Sequence, residues 1–392
     1  MIQIIEKKDC SGCTACASIC PLHCIQMQRD DEGFLYPVVN EERCIDCGAC
    51  EKICPIRMKQ PMHPIKEAYV VQDKRDDIRA SSSSGGGYTA IAEYIISRGG
   101  TVYGAAYDEN YRVHHIGVIH VGELGRFRGS KYVQSELEGI YEEIKEKLRH
   151  DQWVLFSGTP CQVAGLKSYL REDRDKLITV DIACHGVPSP ALWERYLDWW
   201  REYKKCDFTA VEFRSKKYGY SGSTMRLAFE DGSEYSREPL LQFYKNTMFA
   251  GLSLRPSCHD CHFKTISRPS DFTIFDCWDV NAFCSKLDDD RGTTAVLVQS
   301  EKGKAIFKNI CSKWNYSSVD AEKIICNDGD MITENAKADP RRDDFFKDMS
   351  VMPLPELNDK YFPLTLKKRL VQTFKPLLYR IGLLKELKRI IG

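Results

Sequence analysis

Eighteen of the 392 residues are cysteine, and nine of these fall within the first 54 positions. Cys10, Cys13, Cys16 and Cys20 are spaced C-x-x-C-x-x-C-x-x-x-C and are followed by Pro21. Cys44, Cys47, Cys50 and Cys54 repeat that spacing and are followed by Pro55. Thiolates are soft ligands that suit iron–sulfur clusters and zinc. Far downstream, "RPSCHDCHFK" holds a further C-x-x-C pair, Cys258 and Cys261, each followed by a histidine. A pair supplies two ligands, whereas a tetrahedral ion or a cubane takes four. The opening "MIQIIEKKDC" has no apolar h-region, and no run of eighteen apolar residues follows. The expectation is a cytoplasmic chain with reduced thiols, whose cysteines are metal ligands rather than disulfides.

The doubled, proline-closed spacing is that of bacterial two-cluster ferredoxins, in which the fourth cysteine of each run crosses to the other cluster. One 4Fe-4S cluster is expected on Cys10, Cys13, Cys16 and Cys54, the second on Cys44, Cys47, Cys50 and Cys20. Gly12 and Gly48 give the tight loops room to aim backbone N–H groups at sulfur. A zinc module would have no need of this crossed duplication. Cys24 lies outside both runs and reads as a small buried side chain. Adjacent clusters form a one-electron relay, not a site for organic chemistry.

The elements that must position these residues follow from the texture of the chain. Residues 1–57 are the cysteine-rich unit and 58–66 ("MKQPMHPIK") a linker. From 67 to 350 strand-like and helix-like segments alternate. "EAYVVQD", "TVYGAAYD", "WVLFSG" and "LITVDIAC" read as strands, and "YTAIAEYIISRGG" and "PCQVAGLKSYLRE" as helices. "FTAVEFRS" and "TMRLAFED" read as further strands. The fold class expected is α+β or α/β, a ferredoxin-type domain followed by a larger mixed α/β domain with a largely central sheet. Residues 351–392 form a tail. Between 366 and 392 it carries eight Lys or Arg and a single acid, Glu386, with Leu370, Phe374, Leu377, Ile381, Leu384 and Ile391 near helical spacing. A basic amphipathic helix suits the inner face of an anionic membrane or a protein partner. The alternative is a helix packed on its own domain, kinked at Pro376. Lys+Arg and Asp+Glu both total 56, so nothing points to nucleic acid.

Three features of the larger unit exceed what packing requires. "SSSSGGGYTAIAEY" opens a helix and presents backbone N–H groups and hydroxyls to an anion, or is a flexible loop with an N-cap. "RGSKYVQS" would suit a phosphate or carboxylate, or is a solvated loop. Cys161 and Cys184 lie where strands end, which is where open α/β sheets bind ligands. Cys206, Cys311 and Cys326 carry no motif.

These stretches resemble the coenzyme F420 hydrogenase/dehydrogenase β-subunit family. The matching residues are Ser84-Gly85-Gly86, Gly129-Ser130-Lys131-Tyr132, Gly158-Thr159-Pro160-Cys161-Gln162, Cys184-His185-Gly186, Cys258-x-x-Cys261, Arg268, Asp271, Asp276 and Trp278. The family includes F420-reducing hydrogenase and formate dehydrogenase subunits, and reductases of hydroxymethyl chlorophyll and divinyl chlorophyllide. The resemblance implies FAD and a third 4Fe-4S cluster, the latter on Cys161, Cys184, Cys258 and Cys261. A rival local set, Cys258, Cys261, Cys277 and Cys284 with His259 or His262, would be a zinc-like structural site. Ser84, Gly85, Gly86, Gly129, Ser130, Lys131, Tyr132, Gly158, Thr159, Pro160 and Gln162 are the implied flavin-site residues. Lys131 would stabilise a reduced flavin. His185 would donate a proton or a hydrogen bond to cluster sulfur, and Asp276 is the third catalytic candidate. The chain departs from the family at "FDCWDV", where Phe275, Cys277 and Asp279 replace Gly, Phe and Gly. The implied activity is an iron–sulfur flavoprotein oxidoreductase acting on a small organic substrate, with a one-electron partner such as ferredoxin. The alternatives are an electron-transfer β subunit of a hydrogenase or dehydrogenase complex and, from a different class, a metal-scaffolded membrane-associated module.

Overall fold

The computed structural model describes residues 1–58 and 61–384, with the backbone only of 366–372. Lys59 and Gln60 of the expected linker, and Lys385 to Gly392 of the tail, lie outside the described residues.

The cysteine-rich segment is built from two one-turn helices, Ala15–Ser18 and Ala49–Lys52, beside an antiparallel pair of strands, β1 (Ile25–Arg29) and β2 (Leu35–Val39). Each helix starts from a left-handed residue, Thr14 at φ 63° and Gly48 at φ 67°. The sharp reversals turn the preceding loops back over the cysteines.

The strands of the larger unit are β3 (Glu67–Asp73), β4 (Thr101–Tyr107), β5 (Val113–Val118), β6 (Val154–Gly158), β7 (Leu177–Ile182), β8 (Phe208–Ser215), β9 (Thr224–Phe229), β10 (Glu234–Tyr235), β11 (Phe272–Asp276), β12 (Thr294–Val298) and β13 (Trp314–Ser318). Eight of them form one mixed sheet in the order β13-β3-β12-β11-β7-β6-β4-β5. The centre, β11-β7-β6-β4, is parallel, and its strands read as apolar runs because both faces are covered. Antiparallel strands close each side. The carboxyl ends of β6, β7 and β11 therefore emerge along one edge, carrying Thr159–Cys161, Cys184 and Asp276.

The segments "FTAVEFRS" and "TMRLAFED" do not join the central sheet. They pair with each other and with β10 in a separate antiparallel sheet, β10-β9-β8. A second core of Trp193, Trp200, Phe213, Leu227 and Tyr244 covers it. That core takes in Phe345, Met349, Leu354, Leu357 and Tyr361, on both sides of position 350. His63 and Arg268 exchange backbone hydrogen bonds of 2.7 and 3.0 Å. The last helix, Leu366–Arg380, runs on through Pro376. No helix among the described residues is long and apolar enough to cross a membrane.

Candidate functional site

In the N-terminal segment the cysteines separate into the two crossed sets. Cys20, Cys44, Cys47 and Cys50 line one cavity together with Cys24. Cys10, Cys13, Cys16 and Cys54 are mutual electrostatic neighbours. Burial pushes the Cys13 thiol up to about 12. A neutral thiol at that value is a poor ligand, and bound iron is what would hold it as thiolate. The amide of Gly12 donates to Cys10 Sγ at 3.4 Å, which Gly12 can do from its φ of 70°. The Cys24 amide donates to Cys20 Sγ at 3.4 Å, and the two sulfurs stand 3.3 Å apart. Cys24 is thus not remote packing but a neighbour of a ligand candidate, a contact with no signal in the spacing.

The larger unit gathers the other four. Cys161, Cys184, Cys258 and Cys261 line a single cavity that Lys8, Ser11 and Ile56 of the N-terminal segment also reach. Cys161 sits in the first turn of the helix Pro160–Leu170, where a capping box holds it. The Thr159 amide donates to Gln162 Oε1 at 2.9 Å, and Gln162 Nε2 donates to Ser135 Oγ at 2.9 Å. Gln162 is buried with both ends of its amide taken, so its structural place is under Cys161 rather than toward a ligand. Thr159 Oγ1 lies 3.1 Å from Cys161 Sγ. The Val187 amide donates to Cys258 Sγ at 3.4 Å. Burial pushes Cys184 and Cys258 up to about 12 and moves Cys161 in the same direction. Among the described residues no three His, Cys, Asp or Glu side chains close on a point as around one metal ion; the four cysteines instead ring a cavity. The donor set fits a thiolate-bound cubane. Cys277 and Cys284 of the rival set lie elsewhere, packed with Phe275, Val280 and Leu287.

The two groups of cysteines meet across one helix. A Cβ on Gly165, one turn after Cys161, would stand 2.9 Å from Cys13 Cβ and 3.0 Å from its sulfur. Cys13 packs into the same core as Tyr141, Val163 and Leu166. Arg255, three residues before Cys258 and fully buried, clasps the N-terminal segment. It donates to the carbonyls of Cys10 at 2.7 Å and Leu35 at 2.9 Å, and to Gln134 Oε1 at 3.0 Å. Gln134 Nε2 in turn donates to Ser11 O at 3.1 Å. Arg342 and Glu32 form a second, half-buried clasp.

The glycine-serine loops also converge. The Ser130 amide and hydroxyl both donate to Ser83 Oγ, at 2.7 and 2.9 Å. Gly85 approaches β3 and β12 so closely that a Cβ would meet Val71 O at 2.4 Å. Its amide donates to Thr294 Oγ1 at 2.8 Å, and Ser84 Oγ is 2.7 Å from the same atom. Gly86, at φ 82°, starts the helix Gly87–Ile96. Lys216 Nζ donates to the carbonyls of Arg79, Ser84 and Arg291, and burial lowers it to about 7. Neither Thr294 nor Lys216 is a candidate from the sequence. Gly129 faces open space, so a ligand can approach the backbone there. Lys131 lies between the carbonyls of Arg128 and Gly129, each at 3.2 Å, and burial lowers it to about 8. Tyr132 joins this loop to the group that includes Cys258, Met248 and Leu254.

Two catalytic candidates are occupied or sheltered. Arg214 donates to both Asp276 oxygens, at 2.8 and 3.1 Å, and Tyr220 OH adds a third bond at 2.9 Å. Trp278 stacks on Tyr220 at 4.5 Å beneath the Arg214 guanidinium. A carboxylate so held anchors this cluster. His185 lines the four-cysteine cavity, burial lowers its pKa, and its Nε2 is buried without a partner.

Cysteines in cubane-forming sets, linked to an α/β sheet edge, define an iron–sulfur electron-transfer protein. Residues 9–58 match the family described as 4Fe-4S dicluster domain. Residues 151–323 match the family described as the C terminus of the coenzyme F420 hydrogenase/dehydrogenase beta subunit. The chain is similar to that β-subunit family over residues 151–323, and a dicluster match precedes that stretch. Among solved structures, a chain of the F420-reducing [NiFe] hydrogenase complex from Methanosarcina barkeri is similar at 14% identity. The alignment covers 79% of this chain and 97% of that one, with a TM-score of 0.45. No curated protein matches.

Proposed function

We propose that the chain is an iron–sulfur flavoprotein oxidoreductase with three cubane sites and one FAD site, serving a small organic substrate. The observation that carries this is the seating of Cys13 on Gly165, one helical turn from Cys161. It makes the N-terminal set and the four-cysteine cavity neighbours within one core. Bound clusters supply one-electron exchange, and a bound flavin couples single electrons to two-electron chemistry. The chain's own residues do the positioning. The crossed sets hold Cys20, Cys44, Cys47 and Cys50 outermost, where Cys47 is exposed to a one-electron partner such as ferredoxin. The capping box aims Cys161, and Arg255 fixes the Cys10 loop against the Cys258 loop. Ser84, Gly85, Gly86 and the Gly129–Tyr132 loop form the cradle for the flavin's phosphates and ring, with Lys131 as its cation. Changing Cys184 to Ser tests this: about four of about twelve irons per chain should go while the N-terminal iron stays. Unchanged iron would refute the third site.

A β subunit docked on a larger hydrogenase or dehydrogenase complex uses the same residues, and the family match over residues 151–323 favours it equally. Purification of the chain from its own cells decides between them: a stoichiometric hydrogenase or dehydrogenase partner selects the subunit reading, and turnover by the lone chain selects the reductase.

The tail adds a membrane contact to this proposal. Lys375 and Tyr379 pack on Tyr218, at 5.2 and 6.1 Å, while Phe374, Leu377 and Ile381 on another side are exposed. An exposed apolar stripe flanked by basic residues suits the anionic inner face of a membrane. Co-sedimentation of the full chain with phosphatidylglycerol vesicles, lost in Phe374→Ser/Ile381→Ser, is the expected result; equal binding by the variant would refute it.

A further inference from the structure

The four-cysteine cavity has two basic side chains that the proposed function does not use. Arg268 lines it and is only 1% exposed. Its Nη1 donates to Phe263 O, yet Nε and Nη2 are buried with no hydrogen-bond partner. The acid beside it, Asp181, is ion-paired with Nε at 3.7 Å through an Oδ2 that makes no hydrogen bond, while its Oδ1 accepts from Thr273 Oγ1 at 2.6 Å. The backbone of Arg268 is fixed by its exchange with His63, so the guanidinium is built into place. Lys264 lines the same cavity, with Nζ on the Cys184 carbonyl at 2.6 Å and on Met331 O at 2.7 Å. A buried guanidinium with free donors is costly unless something negative meets it.

We infer that Lys264 and Arg268 raise the reduction potential of the cluster of Cys161, Cys184, Cys258 and Cys261. This deepens the proposed function and rests on its third cluster. One-electron reduction adds one negative charge to the cubane and its thiolates, and adjacent cations and N–H donors stabilise that added charge. Lys264 and Arg268 are positioning residues: they act on the potential, not on substrate.

The test is a dithionite redox titration of the full holoprotein, followed by electron paramagnetic resonance, with iron and sulfide counted in parallel. The one-electron wave that Cys184→Ser loses identifies this cluster. In Lys264→Met and in Arg268→Gln that wave should move to lower potential. The ratio of reduced to oxidised form at fixed potential falls about tenfold, or about 59 mV for a one-electron couple. Arg268→Lys, which keeps the charge, should restore much of the shift. If Arg268→Gln fails to hold its iron, Lys264→Met alone decides. About twelve irons with that wave unmoved in Lys264→Met overturns the inference and leaves the proposed function standing. About eight irons in the wild type overturns both.

Discussion

Changing Gly165 to alanine separates a real seating of Cys13 on the helix Pro160–Leu170 from an incidental one. Helix propensity alone favours alanine over an interior glycine by about 1 kcal/mol. The added methyl, however, would stand 2.9 Å from Cys13 Cβ, 3.0 Å from Cys13 Sγ and 2.9 Å from the Tyr141 hydroxyl. Carbon atoms in contact prefer about 3.5–4.0 Å, so each approach is too short by roughly half an ångström or more. None of the three neighbours is free to give way. Cys13 is a ligand candidate in a tight loop, and Tyr141 is buried with its hydroxyl donating to Gln162 O at 2.7 Å. Overpacking of this kind costs about 1–3 kcal/mol. The balance is a net destabilisation of about 0–2 kcal/mol, against a gain of about 1 kcal/mol if the space were open. The assay is the anaerobic thermal midpoint of the holoprotein, with iron counted before and after. The expected result is a midpoint lower by up to a few degrees and earlier iron loss; a higher midpoint with full iron would refute the packing and with it the proximity of the two cysteine groups.

Arg255→Ala leaves the carbonyls of Cys10 and Leu35 and the Gln134 side chain without their donor. At about 1–3 kcal/mol per stranded buried group, the clasp should fail, and limited proteolysis should cut between residues 58 and 66, where the wild type resists. Asp276→Asn breaks the two-bond pair with Arg214 and should lower stability by about 3 kcal/mol, read as a thermal midpoint, because Arg214 is left buried and unpaired. Lys131 has its pKa lowered from 10.5 to about 8 by burial. Below pH 8 it is charged in both folded and unfolded states, and burial opposes folding in full. As pH rises from 8 toward 10.5 the folded form sheds the proton first, so wild-type stability should rise relative to Lys131→Met. The difference between their unfolding midpoints across that window checks the sign. Flavin retention should fall over the same window in the wild type as the cation is lost.

The parts legible in the sequence are those encoded locally. The crossed cysteine runs are a spacing pattern, and Cys161 and Cys184 betray themselves by standing where apolar runs end. The contacts that join the parts are not legible, since they link residues far apart in the chain. Arg255 reaches back 245 positions to Cys10, and Thr294 supports a loop 209 positions earlier. Gly165 looks like an ordinary weak spot in a helix until Cys13 is placed on it. Strands β8 and β9 alternate apolar and polar residues as a central-sheet edge would, and only the tryptophans of Pro190–Lys204 reveal that they carry a core of their own. Asp276 is a catalytic candidate through the family resemblance alone; Arg214, 62 positions away, holds its carboxylate.

The most direct measurement is the number of irons, acid-labile sulfides and flavins per chain after anaerobic purification. The account predicts about twelve irons, about twelve sulfides and one FAD. About eight irons without flavin would contradict it, leaving a dicluster module attached to an α/β unit of another purpose.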